Sequence, residues 1–292
     1  MSSQFKTVTI AGGTGTLGYH IVEAFLNDGS YDVQILRRKP ETENEKAKLL
    51  ASKGAKIVYA DYDQKDDLVK VLKGTDVFVS AINGLVGDEA SRFYDNQIPL
   101  LSAAKEASVK RFIPSEFGSE FEAGVHPFAD DKLKFHEEVK KSGLEYTIFY
   151  TGLFQEFLGW FGFDVKNKKA TFYTDGDKKL NTTSMPDIGK YVVESLKIQK
   201  ARNDYIKVAG AILTLNEYLQ KFEQVTGSKW EVIEDKDVIH RYQNKIEPIP
   251  SPHENFKAIV AQNKQFEDLD NDKFSLTPRP VIEAIEKLVK EP

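Results

Sequence analysis

Three glycines at three-residue spacing, Gly12, Gly15 and Gly18, stand between the apolar run TVTIA and a stripe at helical spacing, Ile21, Val22, Phe25 and Leu26. A strand, a glycine turn and a helix in that order present unpaired N–H groups and the positive end of a helix dipole, which suits a pyrophosphate. Gly12 permits the tight turn, Gly15 lets the backbone approach the phosphates and Gly18 allows close packing of helix on strand. Thr14, Thr16 and Leu17 complete the expected cradle. The next apolar run, DVQILRR, ends in Arg37, Arg38 and then Lys39, where an acidic residue would bind the ribose hydroxyls of NAD. A guanidinium there can grip a 2′-phosphate bidentately, so the residues favour NADPH, with a solvated basic turn as the plain alternative.

Two more loops fall after apolar runs, where parallel sheets bind ligands. Asp61 and Tyr62 are placed to flank an adenine, and Ala81, Ile82 and Asn83 to run beside the middle of the cofactor, although Asn83 with Gly84 also reads as a turn. For catalysis, none of the twelve tyrosines has a lysine four residues later, so a tyrosine–lysine pair is unsupported. The segment ADDKLKFHEEVKKSGLEY offers another group. On a helical wheel Lys132, Phe135, His136 and Val139 share one face, opposite Lys134, Glu137, Glu138 and Lys141. Lys132 thus occupies an apolar position. Such a lysine either snorkels to water or, desolvated beside a cationic nicotinamide, serves as acid or base. His136 is the second choice, a histidine on an apolar face being more often a packed residue than a catalyst. A metal centre finds no ligand spacing among histidines 20, 126, 136, 240 and 253, no GxSxG elbow is present, and cysteine is absent altogether.

The elements that must position these groups are short apolar runs, TVTIAG, DVQILRR, AKIVYAD, DVFVSAI, VKRFIPS and YTIFYTG, alternating with helical stripes such as Leu68, Val71 and Leu72. Continuous apolar strands with helices between them imply an α/β fold, a Rossmann-type doubly wound parallel sheet covered on both faces. Residues 1–152 are expected to form the NADP-binding domain, completed by parts of 184–210, and 153–292 a smaller, mainly substrate-binding region. There Asp187 is expected to cap a helix, TLNE at 214–217 has capping-box spacing, EDLDND at 267–272 reads as a solvated loop and VIEAIEKLVKE as a terminal amphipathic helix. A net charge of -5 without a basic run argues against nucleic acid. No apolar run reaches membrane-spanning length, and the opening MSSQFK lacks a secretory pattern. The expectation is a cytoplasmic monomer or homodimer acting on a small molecule, with the sequon at Asn181 idle.

Taken together, GGTGTLG, the arginine after the second strand, VKRFIPSEFG at 109–118 and the lysine helix ending in GLEYTIF resemble the NmrA-like, isoflavone-reductase-like branch of the atypical short-chain dehydrogenases. That branch includes isoflavone, pinoresinol-lariciresinol and phenylcoumaran benzylic ether reductases and eugenol synthase. The resemblance spans residues 5–230, is strongest before Phe154, and has RFIPSEFG as its most specific element. It implies NADPH, a catalytic lysine at Lys132, 2′-phosphate contacts at Arg37 supported by Arg38, and nicotinamide-side contacts at Pro114, Ser115 and from Thr151 to Phe154. Gln97 matches a family glutamine. The stretch NGLVGDEASRFYDNQ and the chain after 230 depart from the plant reductases, and both would shape a substrate pocket. The implied activity is hydride transfer to a small aromatic or conjugated substrate. A quinone reductase and a non-catalytic NADP(H) sensor of the NmrA type are the alternatives.

Overall fold

The computed structural model describes residues 5–83, 85–86 and 90–291, so Gly84 of the expected Asn83–Gly84 turn lies outside the described residues. The six apolar runs become parallel strands because both their faces are covered; Val77–Ser80 is buried at every position. They are β1 (Thr7–Ala11), β2 (Asp32–Arg38), β3 (Lys56–Ala60), β4 (Val77–Ser80), β5 (Arg111–Ile113) and β6 (Glu145–Tyr150). A seventh, β7 (Asp204–Lys207), joins the far edge, and the order is β7-β6-β5-β4-β1-β2-β3, parallel throughout. The order reverses between β1 and β4, and the carboxyl ends of those two strands open the ligand crevice of a doubly wound sheet.

Helices α1 (Thr16–Asp28), α2 (Glu45–Ser52), α3 (Lys65–Leu72), α4 (Phe93–Glu106), α5 (Pro127–Lys141) and α6 (Met185–Ser195) clothe the sheet. On one face Ile21, Val22 and Phe25 of α1 meet Ile188, Tyr191 and Val192 of α6 over Val8, Ile10 and Ile35. On the other, Leu68 and Leu72, Leu100 and Leu101, and Phe135 and Val139 close over Leu36, Phe78 and Phe112. The apolar stripe of α1 ends at Gly29, whose left-handed backbone returns its N–H to the Phe25 carbonyl.

The cap of α6 differs from expectation. Ser184, not Asp187, is the N-cap, accepting from the Asp187 N–H. Asp187 sits in the first turn, buried, with its carboxylate on Lys190 at 3.2 Å and on the Arg279 backbone N–H at 2.7 Å. A carboxylate suits both positions near a helix start; Ser184 as N-cap and Pro186 in the first turn begin the helix three residues earlier and leave Asp187 free to hold Arg279.

Beyond β6 the chain builds two small sheets, one of Leu153–Phe154, Lys179–Thr183 and Ala211–Thr214, the other of Phe163–Asp164, Lys169–Phe172 and Glu231–Glu234. They share an aromatic core in which Phe163 stacks on Phe222 at 4.7 Å. Thr214 and Glu217 form the expected capping box, and residues 281–290 the terminal helix. The acidic stretch at 267–272 is not a plain solvated loop. The Asp270 carboxylate accepts the Lys207 N–H at 2.8 Å, and the Asn271 amide holds the Ala209 carbonyl and the Tyr191 hydroxyl. These bonds satisfy the open edge of β7. No helix among the described residues is long and apolar enough to cross a membrane.

The close approach at α1 sets a test. A Cβ added to Gly18 would lie 2.1 Å from the Gly12 carbonyl oxygen, backbone that cannot swing aside. Gly18→Ala is expected to lower stability by about 1–3 kcal/mol and weaken nucleotide binding with it, read by thermal melts with and without NADPH. An unchanged melting temperature would contradict the packing described.

Candidate active site

The glycine turn fits a pyrophosphate. Gly12 adopts φ 77°, and the Gly15 N–H closes the turn on the Gly12 carbonyl at 2.8 Å. Gly15 is the N-cap of α1, makes no side-chain cap, and no acidic residue follows in the first turn, so the helix start keeps its positive end bare. Among the described residues a Cβ on Gly15 would meet only the Gly12 oxygen, at 3.0 Å, leaving room for phosphate oxygens. Gly13, which the motif does not include, is needed too: a Cβ there would press on Val22 and Ile35.

From this turn a strip of contacts crosses the carboxyl ends of β1, β4 and β5. A Cβ on Gly12 would lie 2.5 Å from the Ala81 carbonyl oxygen, so the two loops touch at backbone distance. The Ile82 carbonyl accepts the Ser115 hydroxyl at 2.8 Å, and the Ser115 N–H donates to the buried Gln97 side chain at 3.0 Å. Gln97 thereby spans α4 and the loop after β5. Asn83 is exposed, its carbonyl near the Asn96 amide at 3.4 Å.

The basic end of β2 divides. Successive strand residues face opposite sides of the sheet. Arg37 turns to the 39–44 loop, donating to the Thr42 carbonyl at 2.6 Å and hydroxyl at 3.0 Å and to Tyr59 at 3.1 Å. It borders a groove of about 320 Å³ shared with Asn44, Ala47 and Tyr59. Arg38 lies over the Tyr62 ring at 4.9 Å. Lys39 pairs with Asp67 at 2.8 Å. The Asp61 carboxylate accepts the Asp63 N–H at 3.0 Å within its own turn.

At the other end of the strip the chain makes a tight turn through Pro114 and Ser115: the Glu116 N–H donates to the Pro114 carbonyl at 2.8 Å, and Phe117 takes φ 30°, its ring stacked on Phe149 at 5.8 Å. A non-glycine residue in that region costs about 1–3 kcal/mol and persists where its surroundings over-determine it. The turn aims Glu116 inward. Lys132 does not snorkel; it is 5% exposed, and its Nζ donates to the Glu116 carbonyl at 2.6 Å and to Oε1 at 2.9 Å. His136 reaches the other carboxylate oxygen at 2.8 Å. Nζ also faces the rings of Phe128 and Phe93, at 4.7 and 5.5 Å. Burial pushes the Glu116 carboxyl up, but the Lys132 charge and the His136 hydrogen bond outweigh it and hold the group below the usual range. Burial, with Glu116 nearby, pushes the Tyr150 phenol up, so it stays protonated.

Thr151 and Phe154 lie at the end of β6. The Thr151 N–H donates to the Gly118 carbonyl at 2.9 Å, its own carbonyl accepts the Thr183 hydroxyl at 2.7 Å, and Phe154 is half-buried against Phe157. The residue the motif reading passed over is Glu116. It stands inside IPSEFG, and an acid following an apolar strand end was the available signal.

A parallel sheet with a glycine phosphate cradle at its switch point and a buried lysine at its carboxyl edge defines a Rossmann-class dinucleotide-binding protein. The model of the NmrA-like family matches residues 4–287, and the chain belongs to that family. It is 31% identical over 267 residues to pinoresinol reductase 2 of Arabidopsis thaliana, covering 80% of this chain and 82% of that one. It is also 31% identical over 240 residues to oxidoreductase BOA1 of Botryotinia fuckeliana, covering 76% and 77%. The solved structure of AtPrR2 with NADP+ and (+)pinoresinol superposes with a TM-score of 0.81 at 25% identity, over 98% of this chain and 99% of that one.

The Glu116 pair has a stability signature. Glu116→Gln strands the buried Lys132 charge and is expected to cost about 3–5 kcal/mol at pH 7 by denaturant titration. Because the folded carboxyl titrates below its unfolded value of about 4.3, the stabilisation is complete above that value and lost as pH falls through the folded one. The gap between variant and wild type should therefore narrow in acid, and a gap that stays constant from pH 7 to pH 3 would contradict the pairing.

Proposed function

We propose that the protein reduces a small aromatic or conjugated acceptor by hydride transfer from NADPH, with Lys132 supplying the proton. The broader statement is simpler: the chain is an NADPH-dependent oxidoreductase of the NmrA-like family. The observation that carries the finer reading is the buried, carboxylate-anchored ammonium of Lys132, at the end of the contact strip that begins at the glycine turn.

In this reading Gly12, Thr14, Gly15, Thr16, Leu17 and Gly18 hold the pyrophosphate, and Arg37 with Arg38 the 2′-phosphate once Arg37 exchanges Thr42 for it. Asp61 borders the adenine, while Ala81, Ile82, Asn83, Pro114, Ser115, Thr151 and Phe154 border the nicotinamide half. Residues 153–292 furnish most of the substrate side. NADPH, when bound, supplies the hydride. The part of the chain itself would be to give a proton from Lys132 Nζ to the oxygen conjugated with the reduced carbon of the acceptor. Among the described residues the hydrogen bonds of Nζ are the two to Glu116, which leave a third N–H for that oxygen. The ring of Phe128, half-buried beside Nζ and edge-on to Phe256 at 6.0 Å, favours a flat acceptor.

Lys132→Ala is expected to cut kcat by about 10²–10⁴-fold while NADPH affinity by fluorescence titration stays within about threefold. Unchanged turnover would remove Lys132 from the chemistry. Arg37→Ala should reduce the preference for NADPH over NADH by about 10–100-fold in kcat/KM, the worth of a charge-assisted hydrogen bond, and a retained preference would clear Arg37 of the role. No oxidation of NADPH across aromatic and quinone acceptors, with a protein partner captured only in the presence of NADP(H), would instead favour the sensor.

A further inference from the structure

Lys132 by itself does not account for the other half of the Glu116 carboxylate. His136 Nε2 lies 2.8 Å from Oε2 while Lys132 Nζ lies 2.9 Å from Oε1, so one buried acid is shared by two groups one turn apart on α5. His136 is 2% exposed, and among the described residues its buried Nδ1 has no hydrogen-bond partner. The ring meets Glu116 from the turn after β5, Tyr150 from β6 and Tyr205 from β7, and on its own helix the charge of Glu137 acts on it. The tyrosine rings lie edge-on at 6.3 and 5.6 Å. Lys140 Nζ stands over the Tyr205 ring at 5.3 Å.

This surround selects a protonation state. An imidazolium would bury an Nδ1–H with nothing to accept it and set a second cation beside a carboxylate already paired. A neutral ring with its proton on Nε2 donates to Glu116 and leaves only a lone pair unmet, the smaller penalty. We infer that His136 is a positioning residue: a neutral Nε2–H donor that keeps Glu116 ionised when Lys132 has given up its proton, and so holds Nζ in place through turnover.

The physical need is clear from the charges. While Lys132 is an ammonium, the buried carboxylate is neutralised. Once the proton has gone to the acceptor, the buried carboxylate faces a neutral amine, and an unaided buried carboxylate is then driven to take the proton that solvent returns. A second hydrogen-bond donor on the far oxygen opposes that, and Lys132 then regains its proton without competition from Glu116. This step rests on the proposed role of Lys132 as proton donor.

The test uses the full chain saturated with NADP+ and labelled with ¹⁵N histidine; the signal of His136 among the five histidines is identified by its loss in His136→Gln. The expected result is a neutral ring with the proton on Nε2, unchanged from pH 6 to pH 9. Its downfield Nε2–H resonance should persist in Lys132→Met, which imitates the uncharged amine. A ring that titrates in that range, a proton on Nδ1, or loss of the resonance in Lys132→Met would overturn the inference. In turnover, His136→Leu is expected to lower kcat about 10–100-fold with the KM for NADPH within about threefold, and His136→Gln, which can still donate, to recover most of the loss. Equal loss in both variants, or wild-type kcat in His136→Leu, would also overturn it. A Lys132→Met protein that still reduces acceptors sinks the proton-donor reading instead, and the resonance then decides on the histidine alone.

Discussion

A carboxylate buried to 3% exposure, that of Glu116, is the constraint around which the Lys132 end of this molecule is arranged. Removing such an ion from water costs several kcal/mol, and the fold is possible only because two donors are brought to it. The turn after β5 must aim Glu116 inward, which it does by closing Glu116 on Pro114 and holding Phe117 at positive φ against Phe149. Helix α5 must then run so that Lys132 and His136 both meet the acid. Even Gly118 follows from this, since a Cβ there would stand 3.2 Å from Lys132 Nζ.

The cofactor half obeys a different constraint, backbone against backbone. Gly12 touches Ala81 because β1 and β4 are neighbours at the point where the sheet order reverses, and Gly18 packs on Gly12 within the turn that joins β1 to α1. The halves are joined by a short run of hydrogen bonds, Ile82 to Ser115 to Gln97. The glycine turn and the Lys132–Glu116 pair thus stand on one strip of contacting strand ends, the placement that the proposed division into phosphate recognition and proton handling requires.

Much of this was legible in the sequence. The six apolar runs became six strands, and the helical wheel of α5 correctly grouped Lys132, Phe135, His136 and Val139, all of them buried. The seventh strand was not read, because DYIK carries one fully buried residue and no strong pattern. Asp187 was read as a cap although Ser184 takes that place, three residues earlier, where its side chain accepts the Asp187 N–H and Pro186 suits the first turn. The stretch around Asp270 looked solvated because acidic residues usually are, whereas the open edge of β7 recruits its hydrogen-bonding groups.

What the sequence determined by itself is periodic or local: the strand and helix alternation, the glycine turn, the basic end of β2 and the one lysine on an apolar face. Those signals survive without the fold because they depend on neighbours within a few residues. Only the tertiary structure decided what Lys132 does on that face. Its partner is 16 residues away across a strained turn, and the second donor to that partner stands one turn further along the helix. Pairing of buried charges depends on distance in space, and distance in space is what a linear pattern does not carry.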